Sequence, residues 1–429
     1  MLECMFEVVE LGPDADEAAL VAHIGELETL KAVAAAAQAR ATVALVSARA
    51  ADEVARGVPV GRRGRGLATE VGLARRDSPT RGNQHLGFAK ALVQEMPHTL
   101  AALEAGVISE WRATLIVRES ACLDVEDRRV LDAELCGDVA NLEGLGDRRI
   151  AAEAKGIAYR LDPQAVVDRA ARAARDRTVS VRPAPDTMTY VTALLPVAQG
   201  VSVYAALKRE ADVTCDGRSR GQVMADTLVE RVTGQSAEVP TPIAVNLVIS
   251  DESLLAGDEH PARVAGYGPV PAGVARQLVR GAVDDERSRA MLRRLYKHPV
   301  SGALVAMESR ARIFPKGLAE FIRLRDDTCR MPYCDAPIRH TDHVAPAAGG
   351  GVTSGVNGQG LCAGCNYAKE AGGWKAAAAV DDQGRHSTEF VTPTGARHYC
   401  TAPPLPGRRF VEVSEIETHI AIEIVGHAA

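Results

Sequence analysis

The chain of 429 residues has few aromatic side chains, 4% against 46% hydrophobic residues, no long apolar run and no excess of positive charge. Each absence excludes a class. No stretch approaches the roughly 18 apolar residues that a membrane span requires, so no membrane partner is expected. The first residues carry Asp14, Asp16, Glu17 and Glu26 with neither a basic leading region nor an apolar stretch, which does not read as a secretory signal. A formal net charge of -6 excludes a chain-wide basic nucleic-acid binder and leaves room only for a local one. Residues 1–300 also lack a convergent nucleophile, base or phosphate loop. The expected compartment is cytoplasmic, where paired cysteines serve as metal ligands more often than as disulfides.

The length suits two or three domains, and nothing about its size requires disulfide staples. Residues 15–56 are rich in Ala, Leu, Val and Glu, and Leu20, Ile24, Leu27, Leu30, Val33 and Ala34 are spaced as one apolar stripe on a long helix. The Arg/Gly segment Gly57 to Gly66 breaks it, and its three arginines fit a solvated loop better than a phosphate patch. From Glu70 to Tyr159 short punctuation separates further helices, which implies a packed bundle. Ser78 before Pro79 reads as an N-cap with a first-turn proline, and Pro97 and Ser109 start two more helices. Pro163 interrupts the Ala/Arg-rich stretch Asp147 to Arg177. Its arginines at 169, 172, 175 and 177 are expected on a charged outer face rather than on DNA. Residues 15–177 are thus the expected helical domain.

Residues 178–300 read as α+β. Thr178 to Arg182 and Met188 to Leu195 are β-branched runs joined by Pro183 to Asp186, a hairpin pattern. Helices are expected at Val197–Val213 and Arg220–Val232, and the apolar run Ile243–Ile249 is expected as a third strand of the same small antiparallel sheet. The bend Gly266 to Pro269 should lead into a helix near Pro271. Cys4, Cys122, Cys136, Cys215 and Cys400 have no metal-ligand spacing, and each defaults to a buried apolar thiol.

The most informative stretch runs from Cys329 to Trp374. A helix from Lys316 to Arg325 delivers the chain to Cys329 and Cys334; after 27 intervening residues come Cys362 and Cys365. Two short cysteine spacings converge readily on one tetrahedral Zn2+, and four thiolates leave no open position, so this zinc is expected to be structural. Between the pairs lie Asp342 and His343, which a strand would turn to opposite faces, then a Gly-rich loop and Asn357. Asn357 can fix that loop through backbone hydrogen bonds. Asp342 and Asn366 offer hard oxygen ligands for a Mg2+-like ion. Residues 309–380 hold nine Lys/Arg against six Asp/Glu, a local balance of +3.

Asp342-His343, Asn357 and Asn366 between paired cysteines resemble the HNH endonucleases of the ββα-metal fold, in the variant whose last His is Asn. The likeness covers about 50 residues, through Pro332, Asp335, Gly350, Thr353, Leu361-Cys362, Cys365-Asn366, Lys369 and Gly373-Trp374. Residues from about 20 to 300 are more loosely similar to the helical domain of unknown function that precedes HNH modules in many actinobacterial proteins. The expected fold is mainly α with a small β-sheet in the N-terminal part; the resemblance implies an HNH nuclease domain with structural zinc at 309–380, and in the C-terminal tail at 381–429 Val391 to Gly395 and Pro403 to Pro406 suggest a hairpin and an extended stretch. The resemblance also implies a DNA endonuclease in which His343 is the general base, Asn357 orients the hairpin, and Asp342 and Asn366 hold catalytic Mg2+ or Mn2+. His340 is the alternative base or ligand. Lys369 and Arg339 either reach neighbouring phosphates or lie on a solvated surface. The alternative function is a zinc-stabilised DNA-binding or interaction module without turnover.

Overall fold

The computed structural model describes residues 16–237, 247–284, 314–381 and 384–407, in two units, Met1–Arg172 and Ala173–Ala429. Cys4 and residues 408–429 lie outside the described residues. The described part of the first unit is helical: α1 (Glu17–Ala55), α2 (Leu67–Ala74), α3 (Pro79–Glu95), α4 (Pro97–Glu104), α5 (Glu110–Glu119), α6 (Val125–Cys136), α7 (Asp147–Leu161) and α8 (Pro163–Ala173). Local chemistry sets where these helices begin. Asp16, Ser78, Ser109 and Asp124 each accept the backbone N–H three residues on, satisfying a donor that no helical carbonyl can reach. Helix α4 has no cap of its own. Instead Asp132, fully buried on α6, accepts from the amides of His98 (2.7 Å) and Thr99 (2.8 Å), which offsets the burial of its charge.

The core of this unit sets the alanine row Ala32, Ala35, Ala36 and Ala39 of α1 against Phe88, Leu92, Leu103 and Ile116. The expected stripe on α1 is corrected here: Leu20, Ile24 and Leu27 are exposed, Ala34 is exposed, and Leu30 and Val33 are half-buried. Small side chains permit the close approach of neighbouring helices, so they line the contact. The turn after α4 brings Gly106 so close to Thr29 of α1 that a Cβ there would lie 2.5 Å from the threonine methyl. In the Arg/Gly segment Arg63 donates to the Val58 carbonyl (2.8 Å), and the Gly64 amide donates to buried Glu53 (2.8 Å).

The second unit opens with an antiparallel hairpin, β1 (Thr178–Pro183) and β2 (Thr189–Leu194), followed by α9 (Val197–Val213) and α10 (Arg220–Thr233). Next come β3 (Leu247–Val248), α11 (Asp251–Leu255), β4 (Ala262–Val264), β5 (Gly268–Val270) and α12 (Ala272–Asp284). The third strand is a correction. Residues 243–246 lie outside the described residues, and Leu247 and Val248 pair with β4 in a separate sheet of order β3-β4-β5. The bend at Gly266 closes the β4–β5 hairpin before the helix begins, and that hairpin offers β3 its edge. Cys215 is also corrected: it is exposed, in the loop after α9, whereas Cys136 is buried and Cys122 and Cys400 are half-buried.

Then follow α13 (Lys316–Asp326), β6 (His340–His343), β7 (Gly358–Leu361), α14 (Ala363–Lys369) and the strands β8 (Lys375–Val380), β9 (His386–Val391) and β10 (Arg397–Thr401). β6 and β7 pair antiparallel, and the last three strands form a sheet of order β10-β9-β8. The expected domain boundary at 380 falls at the end of β8, whose partner β9 lies in the expected tail. Buried Arg263 of β4 ties this region to α13, donating to the Leu324 carbonyl and pairing with Asp327 at 3.6 Å. Asp327 ends α13 at a φ of 63°, turning the chain toward Cys329. Among the described residues no helix is long and apolar enough to cross a membrane.

Candidate metal centre and hairpin site

Cys329, Cys334, Cys362 and Cys365 offer sulfurs that all lie within 4.8 Å of one another. Two turns create this convergence. In the first, the Cys329 amide donates to the Ala336 carbonyl (2.9 Å) and Tyr333 takes a left-handed φ of 62°. In the second, Cys362 caps α14, its sulfur accepting the Cys365 amide. Cys334 and Cys362 sulfurs stand 3.9 Å apart, close to the roughly 3.8 Å that tetrahedral Zn–S bonds of about 2.3 Å require. The donor set fits zinc. Crowding polarises the thiols: hydrogen bonds from Cys329 and Cys365 push Cys334 down to about 3, while contacts with Cys329 and Cys334 push Cys365 up. A bound cation would hold these sulfurs as thiolates.

Beside this cluster the order is strand, strand, helix. Register places Asp342 opposite Gln359 and His343 opposite Gly358, so the two adjacent side chains leave the hairpin on opposite faces. The His343 ring packs against Phe314, centroids 4.5 Å apart, and its Nε2 shares a 2.8 Å hydrogen bond with Thr353 Oγ1. His343 is 9% exposed. Burial holds its pKa below the ordinary imidazole value; Asp342 opposes that shift and Lys369 adds to it. The ring is therefore neutral at pH 7. Gly358 leaves the room for this packing, since a Cβ there would lie 2.3 Å from Ile322.

On the other face Asp342 meets α14. Lys369 Nζ lies 2.8 Å from Asp342 Oδ2 and 2.8 Å from Glu370 Oε1, and it donates a hydrogen bond to the His343 carbonyl at 2.8 Å. Asp342 Oδ2 and Asn366 Oδ1 are both buried without an aligned hydrogen bond. Asn366 precedes Lys369 by three residues and so shares its helix face toward β6. Asp342 Oδ2 thus faces the Lys369 ammonium, while Asn366 Oδ1 has no hydrogen-bond partner among the described residues. His340 stands on the Asp342 face, its ring 6.4 Å from that of Tyr367, and Arg339 is exposed.

Asn357 clamps the loop between the strands. Its Oδ1 accepts the Ala345 amide (2.8 Å), and its Nδ2 donates to the carbonyls of Ala345 (3.1 Å) and Val352 (2.8 Å). Gly351 fits under this clamp because a Cβ there would sit 1.9 Å from the Ala345 oxygen. From below, buried Arg325 donates to the carbonyls of Gly355 and Gly358, and Asp326 accepts from the Arg325 Nε and the Gly360 amide, both at 2.7 Å. Behind the loop, buried His386 Nε2 donates to the Val356 carbonyl (2.8 Å).

Lys369, expected at a phosphate or in solvent, is buried. Helical spacing from Asn366 was the available signal, and the charge of the side chain pointed the other way. No spacing rule marks Thr353, Arg325 or Asp326 as partners of the hairpin.

The family model described as "Domain of unknown function (DUF222)" matches residues 26–326. The chain is 36% identical over 88 residues to the Uncharacterized protein Rv3776 of Mycobacterium tuberculosis (strain H37Rv), 20% of this chain and 14% of that protein. It is 42% identical over 83 residues to the Uncharacterized protein Rv2100 of the same strain, 19% of this chain and 13% of that protein. The chain thus spans about one seventh of the length of these curated relatives. No solved structure matches.

Proposed function

From the premise that this chain belongs to the DUF222 family over residues 26–326, we propose that the segment following that span is a metal-dependent DNA endonuclease module of the HNH type. Residues 26–326 would then recognise substrate, partner or DNA context. What carries the reading is one observation: residues 340–369 fold as strand, strand and helix, with Asp342 and His343 on opposite faces of the hairpin and Asn366 Oδ1 buried without a hydrogen bond, beside four convergent sulfurs.

In this reading His343 takes a proton from a water aligned on a phosphodiester, the task of a base that is neutral at working pH. Its Nδ1 has no partner among the described residues and is not one of the buried unpartnered atoms, so it is the nitrogen free to act. Thr353 fixes the ring through Nε2. Asp342 and Asn366 would hold Mg2+ or Mn2+, which when bound neutralises charge on the scissile phosphate and leaving oxygen. Asn357 keeps the loop closed beneath the strand that carries both residues. The four cysteines would hold zinc as a scaffold. The local +3 balance of residues 309–380 favours DNA there.

A second reading, a zinc-stabilised DNA-binding or interaction module without turnover, is favoured by the burial of His343 and by the pairing of Lys369 with Asp342. Plasmid nicking with Mg2+ or Mn2+ separates the two. The endonuclease reading expects cleavage by the wild type, lost by at least about 100-fold in His343→Ala. It also expects a rate that rises with pH through a midpoint below the ordinary imidazole pKa and then levels. Equal inactivity of both proteins with DNA binding retained would establish the second reading.

A further inference from the structure

Lys369 is 3% exposed at its side chain, and a buried ammonium persists where anionic and carbonyl oxygens compensate it. Those oxygens are the His343 carbonyl, Asp342 Oδ2 and Glu370 Oε1. One of them, Asp342, is also the carboxylate assigned above to the divalent cation. A cation arriving there meets a ligand already paired with positive charge, and in a partly buried site such charges repel with little screening.

We propose that Lys369 is an internal stand-in cation, which holds Asp342 in the metal-free protein and competes with the divalent ion for it, so that the affinity of the site is set by the ease of displacing the ammonium. The inference rests on the assignment of Asp342 and Asn366 to that ion and adds what regulates it. Three features support competition. Lys369 is shared among Asp342, Glu370 and the His343 carbonyl, so the ammonium is not committed to Asp342 alone. Asn366 Oδ1, one turn earlier on the same helix, is buried without a hydrogen-bond partner among the described residues. Glu370, 55% exposed at its side chain and already 2.8 Å from Nζ, keeps a charge partner for the ammonium after it leaves Asp342. The side chain thus has two seats, one shared with the ion and one of its own.

The test is Mn2+ binding to the zinc-loaded full chain, read as free Mn2+ by electron paramagnetic resonance. Lys369→Gln removes the charge while leaving an amide to donate toward the His343 carbonyl. It is expected to bind Mn2+ at least about ten-fold tighter than wild type, and Asp342→Asn far more weakly. Affinity in Lys369→Gln equal to or below wild type, with Asp342→Asn still defective, would overturn the proposal and make Lys369 an orienting residue. Equal binding by wild type and Asp342→Asn would instead remove the cation assignment itself. A measurement without substitution guards against misfolding: the Lys369 ammonium nitrogen resonance should shift as Mg2+ saturates the wild type, and an unmoved resonance contradicts displacement.

Discussion

Replacing Asn357 with aspartate is the sharpest test of how the loop between the two strands is held. The change preserves volume and leaves one oxygen to accept the Ala345 amide at 2.8 Å. It also substitutes an oxygen for the nitrogen that donates to Ala345 O at 3.1 Å and Val352 O at 2.8 Å. Two hydrogen bonds of about 1 kcal/mol each are lost, and stranding the carbonyls opposite a charge that is 8% exposed adds about 2 kcal/mol more. The loop should open about 4 kcal/mol more easily, roughly three decades in equilibrium constant. Native-state hydrogen exchange at the amides of Ala345 and Val344, the latter bonded to the Asn357 carbonyl, should report that loss at pH 7, with amides of α5 as an unaffected control. Acid should restore part of it, because a protonated carboxyl can again donate to one carbonyl. Asn357→Ala, which removes the bonds without adding charge, should lose less. Unchanged protection at Ala345 in Asn357→Asp at pH 7 would refute the clamp.

Two further expectations concern the scaffold around that loop. The full chain should carry one zinc ion per molecule by elemental analysis. Chelation or Cys365→Ser should release it and unfold residues 329–369, since structural zinc contributes on the order of 10 kcal/mol to such small modules; protein purified without zinc but fully folded there would contradict this. His386 is held down to about 4, chiefly by burial and then by the charge of Arg325. Its neutral form is the folded one, so its contribution of about 3 kcal/mol is complete above the ordinary value near 6.5 and is lost as pH falls toward 4. Urea unfolding followed by the fluorescence of buried Trp374 should weaken across that window in wild type, and a flat profile in it would remove His386 as the cause.

The parts of the molecule legible in the sequence are those written in short-range chemistry. Ser78 and Pro79 announce α3, Pro163 parts α7 from α8, and two cysteine spacings announce a shared cluster, because each depends on residues a few positions apart. The pairing of β3 was less legible, since a two-residue strand takes whichever edge the chain brings near it. The buried face of α1 was hidden because alanine carries little hydrophobic signal, yet it allows helices to approach. The candidate site divides the same way. Opposite facing of Asp342 and His343 follows from strand periodicity, and the Asn357 clamp from amide chemistry. The Thr353 bond to His343 and the buried seat of Lys369 depend on loop closure and tertiary packing, which no spacing encodes.

The guanidinium of Arg325 and the carboxylate of Asp326 sit at the very end of the span matched by the family, while the carbonyls and amide they grip, from Gly355 to Gly360, lie beyond it. The seam between the two regions is therefore not a neutral place to cut. Any exchange of C-terminal modules among relatives would succeed only where the recipient's last helical turn supplies the same ionic grip, so the partners must be inherited as a pair.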